Sequence, residues 1–144
     1  MFILKKKLDV FSAAHRVIKG YQGKCKDLHG HDYLVEVTVA CEELDDYGFV
    51  IDFGDIKQIC NDWLKNHWDH CTLVCADDQG LLKFLRQEDQ RHFVLPAEKN
   101  STVENLTEFL FYQFQVELKK FSPRVTLQAV TIWESETASA TFQL

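Results

Sequence analysis

Residues 33–41 constrain the fold most. Tyr33, Val35, Val37, Val39 and Cys41 share one parity and Glu36 and Thr38 the other, so the stretch reads as a strand with one buried face. His29-Gly30-His31 leads directly into it. If the strand begins there, His29 and His31 point to the same face, which makes half of a metal site. His15 closes an earlier apolar segment, and an antiparallel return would bring it alongside. Three neutral imidazoles with an open fourth position describe a catalytic zinc site, because structural zinc sites are closed and usually rich in cysteine. Nickel, copper and iron also accept imidazole, but zinc tolerates three of them and needs no redox chemistry. Cys25 lies four residues before His29, as a fourth ligand or as a reactive thiolate beside the metal. Its neighbours Lys24 and Lys26 favour the thiolate. A free cysteine buried as a small hydrophobe is the plainer alternative.

The rest of the chain supplies elements to surround that strand. Phe2, Leu4, Leu8 and Val10 alternate with Lys5, Lys7 and Asp9, which predicts one half-buried strand over 2–10. Residues 16–28 form a polar loop with Gly20 and Gly23, and Asp45-Asp46-Tyr47-Gly48 is a turn. Ile56, Ile59, Cys60, Trp63, Leu64 and His67 have helical spacing, with Asp52 or Asp55 placed to cap. Residues 71–98 carry mixed signals, and about 75–98 reads as a loop or insertion. Ser101-Thr102-Val103-Glu104 has the form of a capping box before Leu106, Leu110, Phe114 and Leu118, a helix that should end near Lys119 or Lys120. Val125 and Leu127, then Val130 and Ile132, predict a strand with a parity slip near Ala129. Ala138, Ala140 and Phe142 suggest a last short strand. The order is β-β-α-α-β-β, an α+β domain spanning 1–144 with a four-stranded, mainly antiparallel sheet and two helices on one face. The open edges of such a sheet favour oligomerisation.

Composition narrows the function classes. A net charge of −6 argues against a general nucleic-acid binder, which needs a basic surface. Lys5-Lys6-Lys7 is the only basic run and reads as a solvated strand face. No stretch approaches the roughly 20 apolar residues of a membrane span. Met1-Phe2-Ile3-Leu4 is too short for a signal-peptide core. Five cysteines without a framework spacing fit a reducing compartment, so a cytoplasmic location is expected.

Two further groups carry chemistry. Asp69-His70 follows the first helix, and a carboxylate beside an imidazole can orient it for proton transfer. Glu134 ends an apolar strand, either as an exposed carboxylate or as one that grips a planar guanidine-like edge by two hydrogen bonds.

Phe11-Ser12-Ala13-Ala14-His15-Arg16, Cys25-x3-His29-Gly30-His31, Val50-Ile51-Asp52-Phe53, Asp69-His70, Ser101-Thr102-Val103-Glu104-Asn105 and Trp133-Glu134 occur in one order along the chain. Together they resemble the 6-pyruvoyltetrahydropterin synthase/6-carboxytetrahydropterin synthase family. The resemblance implies the tunnelling (T-) fold, assembled into trimers or hexamers with active sites at subunit interfaces. It implies Zn2+ on His15, His29 and His31, Cys25 as general base, Asp69 and His70 as a proton relay, and Glu134 as the anchor of the pterin ring. It also puts Thr102 and Glu104 near the pterin. The short Cys-x3-His gap resembles the bacterial 6-carboxytetrahydropterin synthases of the queuosine pathway. The implied reaction converts 7,8-dihydroneopterin triphosphate to 6-carboxy-5,6,7,8-tetrahydropterin, releasing acetaldehyde and triphosphate. The alternatives are the pyruvoyl-forming synthase, a non-catalytic pterin- or metal-binding protein of the same fold, and a structural zinc protein with Cys25 as fourth ligand. Arg16, Lys19, Lys24 and Lys26 are candidates for the triphosphate by charge and proximity alone. Three departures stand out: Val74 where the family often has Asn, Trp68 where it has Leu, and a longer segment at 75–98.

Overall fold

A long central strand, β3 (His29–Cys41), organises the molecule in a computed structural model that describes residues 1–144. β2 (Phe11–His15) and β1 (Phe2–Lys7) run antiparallel to its first and last parts. β6 (Thr126–Trp133) pairs antiparallel to β3, and β7 (Ser139–Gln143) to β6. Beyond β2 the sheet continues through β4 (Cys71–Cys75) and β5 (His92–Leu95), both joined by parallel pairings. The result is a seven-stranded sheet in the order β5-β4-β2-β3-β6-β7, with β1 also on β3.

Three helices accompany it. In α1 (Phe53–His67) the Asp52 carboxylate accepts the Gly54 N–H at 2.6 Å, while Ile56, Cys60, Trp63 and Leu64 turn inward. α3 (Val103–Phe121) is capped by Thr102, whose hydroxyl accepts the Asn105 N–H at 3.4 Å. It buries Leu106, Leu110, Phe111, Phe114 and Leu118 against the sheet and stops before Pro123. The facing surface of β3 is Tyr33, Val35, Val37 and Val39, each fully buried. Each such side chain contributes roughly 1.5–3 kcal/mol when removed from water.

The element count departs from the sequence expectation in three places. The predicted strand over 2–10 is two strands, because the register slips by one residue between the pairs Lys7–Glu36 and Phe11–Tyr33. The slip moves the inward parity from even to odd, so Leu8 is buried while Val10 is 59% exposed. Residues 75–98, read as loop or insertion, contain α2 (Gln79–Gln87) and β5. The expected four strands and two helices are therefore seven and three, and two pairings are parallel. β4 and β5 are short and mostly apolar, so neither shows the alternation that announces a half-buried strand. α2 packs Leu81, Leu82 and Leu85 on Val74 of β4, which gives Val74 an apolar partner set. Trp68 is likewise a core residue, its ring centroid 5.5–6.1 Å from those of Trp63, Phe109, Phe93 and Phe11. The parity slip expected near Ala129 is present, where the β3–β6 register shifts between Thr38 and Val39.

Candidate active site

Cross-strand pairing places His15 directly opposite His29 and Ala13 opposite His31. Residues 15, 29 and 31 therefore share one face, and one ring nitrogen from each lies within 4.8 Å of the other two. His15 Nδ1 faces the Ser101 carbonyl at 2.5 Å, and His29 Nδ1 faces the Asp27 carbonyl at 2.7 Å. A carbonyl only accepts, so both Nδ1 atoms carry the hydrogen and both Nε2 lone pairs are free. Those two Nε2 atoms are 3.1 Å apart. His31 Nε2 is buried with no hydrogen-bond partner. Three nitrogens held about 2.0–2.1 Å from a tetrahedral ion sit roughly 3.4 Å apart, so the donor set fits a metal. Burial, with His29 and His31 nearby, lowers the His15 pKa from 6.5 to about 4, leaving the imidazole neutral near pH 7.

Cys25 sits in a single 3-10 turn, Lys24–Lys26, half-buried, and its carbonyl accepts the Val17 N–H at 2.8 Å. The Glu134 carboxylate lies 3.8 Å from His31 Nε2. Tyr33, fully buried, sets its hydroxyl 3.4 Å from the ring nitrogens of His15. Burial first, then the negative charges of Glu134 and Cys25, push the Tyr33 pKa up, so its O–H stays a donor. The sequence reading missed Tyr33 and the Ser101 and Asp27 carbonyls. Tyr33 was visible in principle, since 29, 31 and 33 alternate onto one face, whereas a backbone carbonyl leaves no trace in residue type.

Asp69 and His70 are elsewhere. The pairing of Ala13 with Cys71 puts His70 in register with Ser12, just before β4 begins. His70 Nδ1 donates to Asp69 Oδ1 at 2.9 Å, and that oxygen also accepts the Ser12 N–H at 3.2 Å. The His70 N–H donates to the Ser12 carbonyl at 2.7 Å. His70 holds φ +60°, a left-handed conformation that costs on the order of 1 kcal/mol outside glycine. Its side chain is 78% exposed and borders a depression with Ser12, His31, Asp32, Thr72 and Arg91.

Thr102 and Glu104 stand at the first turn of α3, where the cap is Thr102 rather than Ser101. The Ser101 hydroxyl is buried and unpartnered beside the carbonyl that holds His15. Among the basic candidates, Arg16 forms a two-pronged pair with Asp78, and Lys19 pairs with Asp77. Both are already neutralised, which leaves Lys24 and Lys26 as the free cations near Cys25.

The chain resembles known proteins in sequence and in fold. The chain is 37% identical over 97 residues to the 6-carboxy-5,6,7,8-tetrahydropterin synthase of Rickettsia bellii, covering 67% of this chain and 68% of that one. It is 29% identical over 142 residues to the enzyme of that name from Bacillus subtilis, covering 99% and 85%. The structure of Caenorhabditis elegans 6-pyruvoyl tetrahydropterin synthase superposes with a TM-score of 0.69 at 25% identity, covering 100% and 97%. An uncharacterised protein from Wolinella succinogenes shares the fold, with a TM-score of 0.81 at 17% identity over 99% and 97%. The family sequence model described as 6-pyruvoyl tetrahydropterin synthase matches residues 4–144. The strand-borne histidines, the T-fold around them and this match make the chain an enzyme of the 6-pyruvoyl tetrahydropterin synthase family.

Proposed function

We propose that the protein is a zinc-dependent lyase that converts 7,8-dihydroneopterin triphosphate to 6-carboxy-5,6,7,8-tetrahydropterin, with release of acetaldehyde and triphosphate. The observation that carries the reading is the convergence of three imidazole nitrogens, two in a fixed tautomer and one without a partner. The short gap between Cys25 and His29 and the names of the relatives favour the carboxy product. His15, His29 and His31 would hold the zinc, which when bound supplies Lewis-acid polarisation of the substrate's side-chain hydroxyls. Cys25, as thiolate, removes a proton from the adjacent side-chain carbon. Glu134 accepts two N–H groups from the aminopyrimidine edge and so fixes the side chain against the histidines. Thr102 and Glu104 border the ring. His70, oriented by Asp69, exchanges a proton with the substrate from a second copy of the chain.

The last role is the reason to read the working form as a trimer or hexamer. His70 is 78% exposed and makes no hydrogen bond to its own histidine triad, which supports a meeting with a triad across an interface. Five free thiols fit action in the cytoplasm, and no helix is long and apolar enough to cross a membrane.

Mass spectrometry of the products from zinc-loaded protein tests the reading. Acetaldehyde with 6-carboxytetrahydropterin is expected. A retained three-carbon side chain would move the chain to the pyruvoyl-forming branch, and bound pterin without turnover would make it a binding protein.

A further inference from the structure

Residues 75–98 take no part in the chemistry above, yet they grip the strand end that leads to Cys25. Arg16 follows His15 as β2 ends. Its Nε donates to Asp78 Oδ2 at 2.7 Å and its Nη2 to Asp78 Oδ1 at 2.6 Å. Asp78 is only 6% exposed, and Oδ1 also accepts the Leu81 N–H at 3.3 Å as the cap of α2. The carboxylate therefore cannot shift without disturbing the first turn of α2, which is packed through Leu81, Leu82 and Leu85 onto Val74. The next residues are fastened in turn. The Val17 N–H donates to the Cys25 carbonyl at 2.8 Å, the Ile18 N–H to Asn100 Oδ1 at 3.0 Å, and the Lys19 ammonium to Asp77. Between Val17 and Cys25 the loop turns through Lys19 and Gly20, both at positive φ. Its attachment to β2 near the triad is the Val17–Cys25 bond.

We propose that Asp78 is a positioning residue: through Arg16 it fixes Val17, and through the Val17–Cys25 backbone bond it sets where the Cys25 thiol stands relative to His15, His29 and His31. The segment at 75–98 is thereby a brace for the thiol. The inference rests on Cys25 being the base, and it assigns Arg16 to this brace rather than to the triphosphate. A two-pronged guanidinium–carboxylate pair suits the task, because it fixes direction as well as distance.

The test uses zinc-loaded full-length protein, with Asp78→Asn, Asp78→Glu and Arg16→Lys. Three quantities are read: the rate of Cys25 alkylation by iodoacetamide mapped by peptide mass, kcat and KM for the pterin triphosphate, and zinc per chain. The other four cysteines are buried, and Cys25→Ala supplies the background. Asp78→Asn is expected to keep zinc, raise the alkylation rate about threefold or more, and lower kcat by about 10–100-fold with KM nearly unchanged, as for a misplaced group. Asp78→Glu recovers part of both effects. Arg16→Lys, which keeps the charge and loses one prong, falls between, and it decides the matter if Asp78→Asn does not fold. An alkylation rate within about twofold of wild type, or a kcat loss that merely tracks lost zinc, overturns the proposal. If the wild-type protein does not turn over the pterin, the catalytic reading fails, and the alkylation rates still decide whether Asp78 places Cys25.

Discussion

The two faces of the β2–β3 ribbon differ in what they ask of their residues. On the inner face His15 and His29 are held by backbone carbonyl acceptors, the Tyr33 hydroxyl stands beside His15, and His15 is almost entirely buried. On the outer face Ser12, Asp32, Asp69 and His70 are joined by short hydrogen bonds but stand largely in solvent. The inner set is complete as a donor cage within one chain. The outer set is a carboxylate–imidazole pair tied to β2 through the Ser12 backbone. One strand pair thus carries the histidine triad on one face and Ser12 and Asp32 on the other, and the alternation of side chains along a strand is the cause.

That contrast can be broken at either face. His29→Ala should abolish metal binding and turnover together, read by metal analysis and assay. Cys25→Ala should keep metal and fold but lower kcat by about 10²–10⁴-fold; near-full activity would remove the thiol from the mechanism. A mixture of His31→Ala and His70→Ala chains, unfolded and reassembled together, should regain activity that neither has alone. No recovery would mean that the two faces do not meet across an interface.

Smaller effects sharpen the comparison. His70→Gly relieves the positive φ and should raise the urea midpoint by the equivalent of roughly 0.5–1 kcal/mol while activity falls. No gain would mean that the His70–Asp69 bond already offsets the strain. The Arg16 hydrogen bond lowers the Asp78 pKa from its ordinary 3.8. Its contribution is therefore whole above about pH 4 and lost as pH falls through the folded value, so Asp78→Asn should flatten acid unfolding. Burial raises the Cys60 pKa from 9.0 to about 12, so stability should decline as pH rises above 9, and less steeply in Cys60→Ala.

Much of this was legible in the sequence for a common reason. The long β3 alternation, the Asp52 cap and the α3 pattern are local signals written in residue type. The histidine triad was readable because two ligands lie two apart on one strand, and only the antiparallel return of His15 had to be guessed. β4 and β5 were not readable, since their pairings are short, parallel and set by contacts far along the chain, whereas α2 carries a local signal in its Asp78 cap and the spacing of Leu81, Leu82 and Leu85. Whether Asp69-His70 faced its own triad depended on strand register, which adjacency in sequence does not encode.

The one-residue slip between β1 and β2 joins two strands of opposite inward parity on one partner strand. Leu8 points inward on one side of it, and Phe11, Ala13 and His15 on the other. Three residues, 8–10, stand on this strand where only two, Leu34 and Val35, stand on β3. Deleting one of the three would therefore close the slip into a single continuous register and leave His15 in the triad, so the chain carries one spare residue at this point.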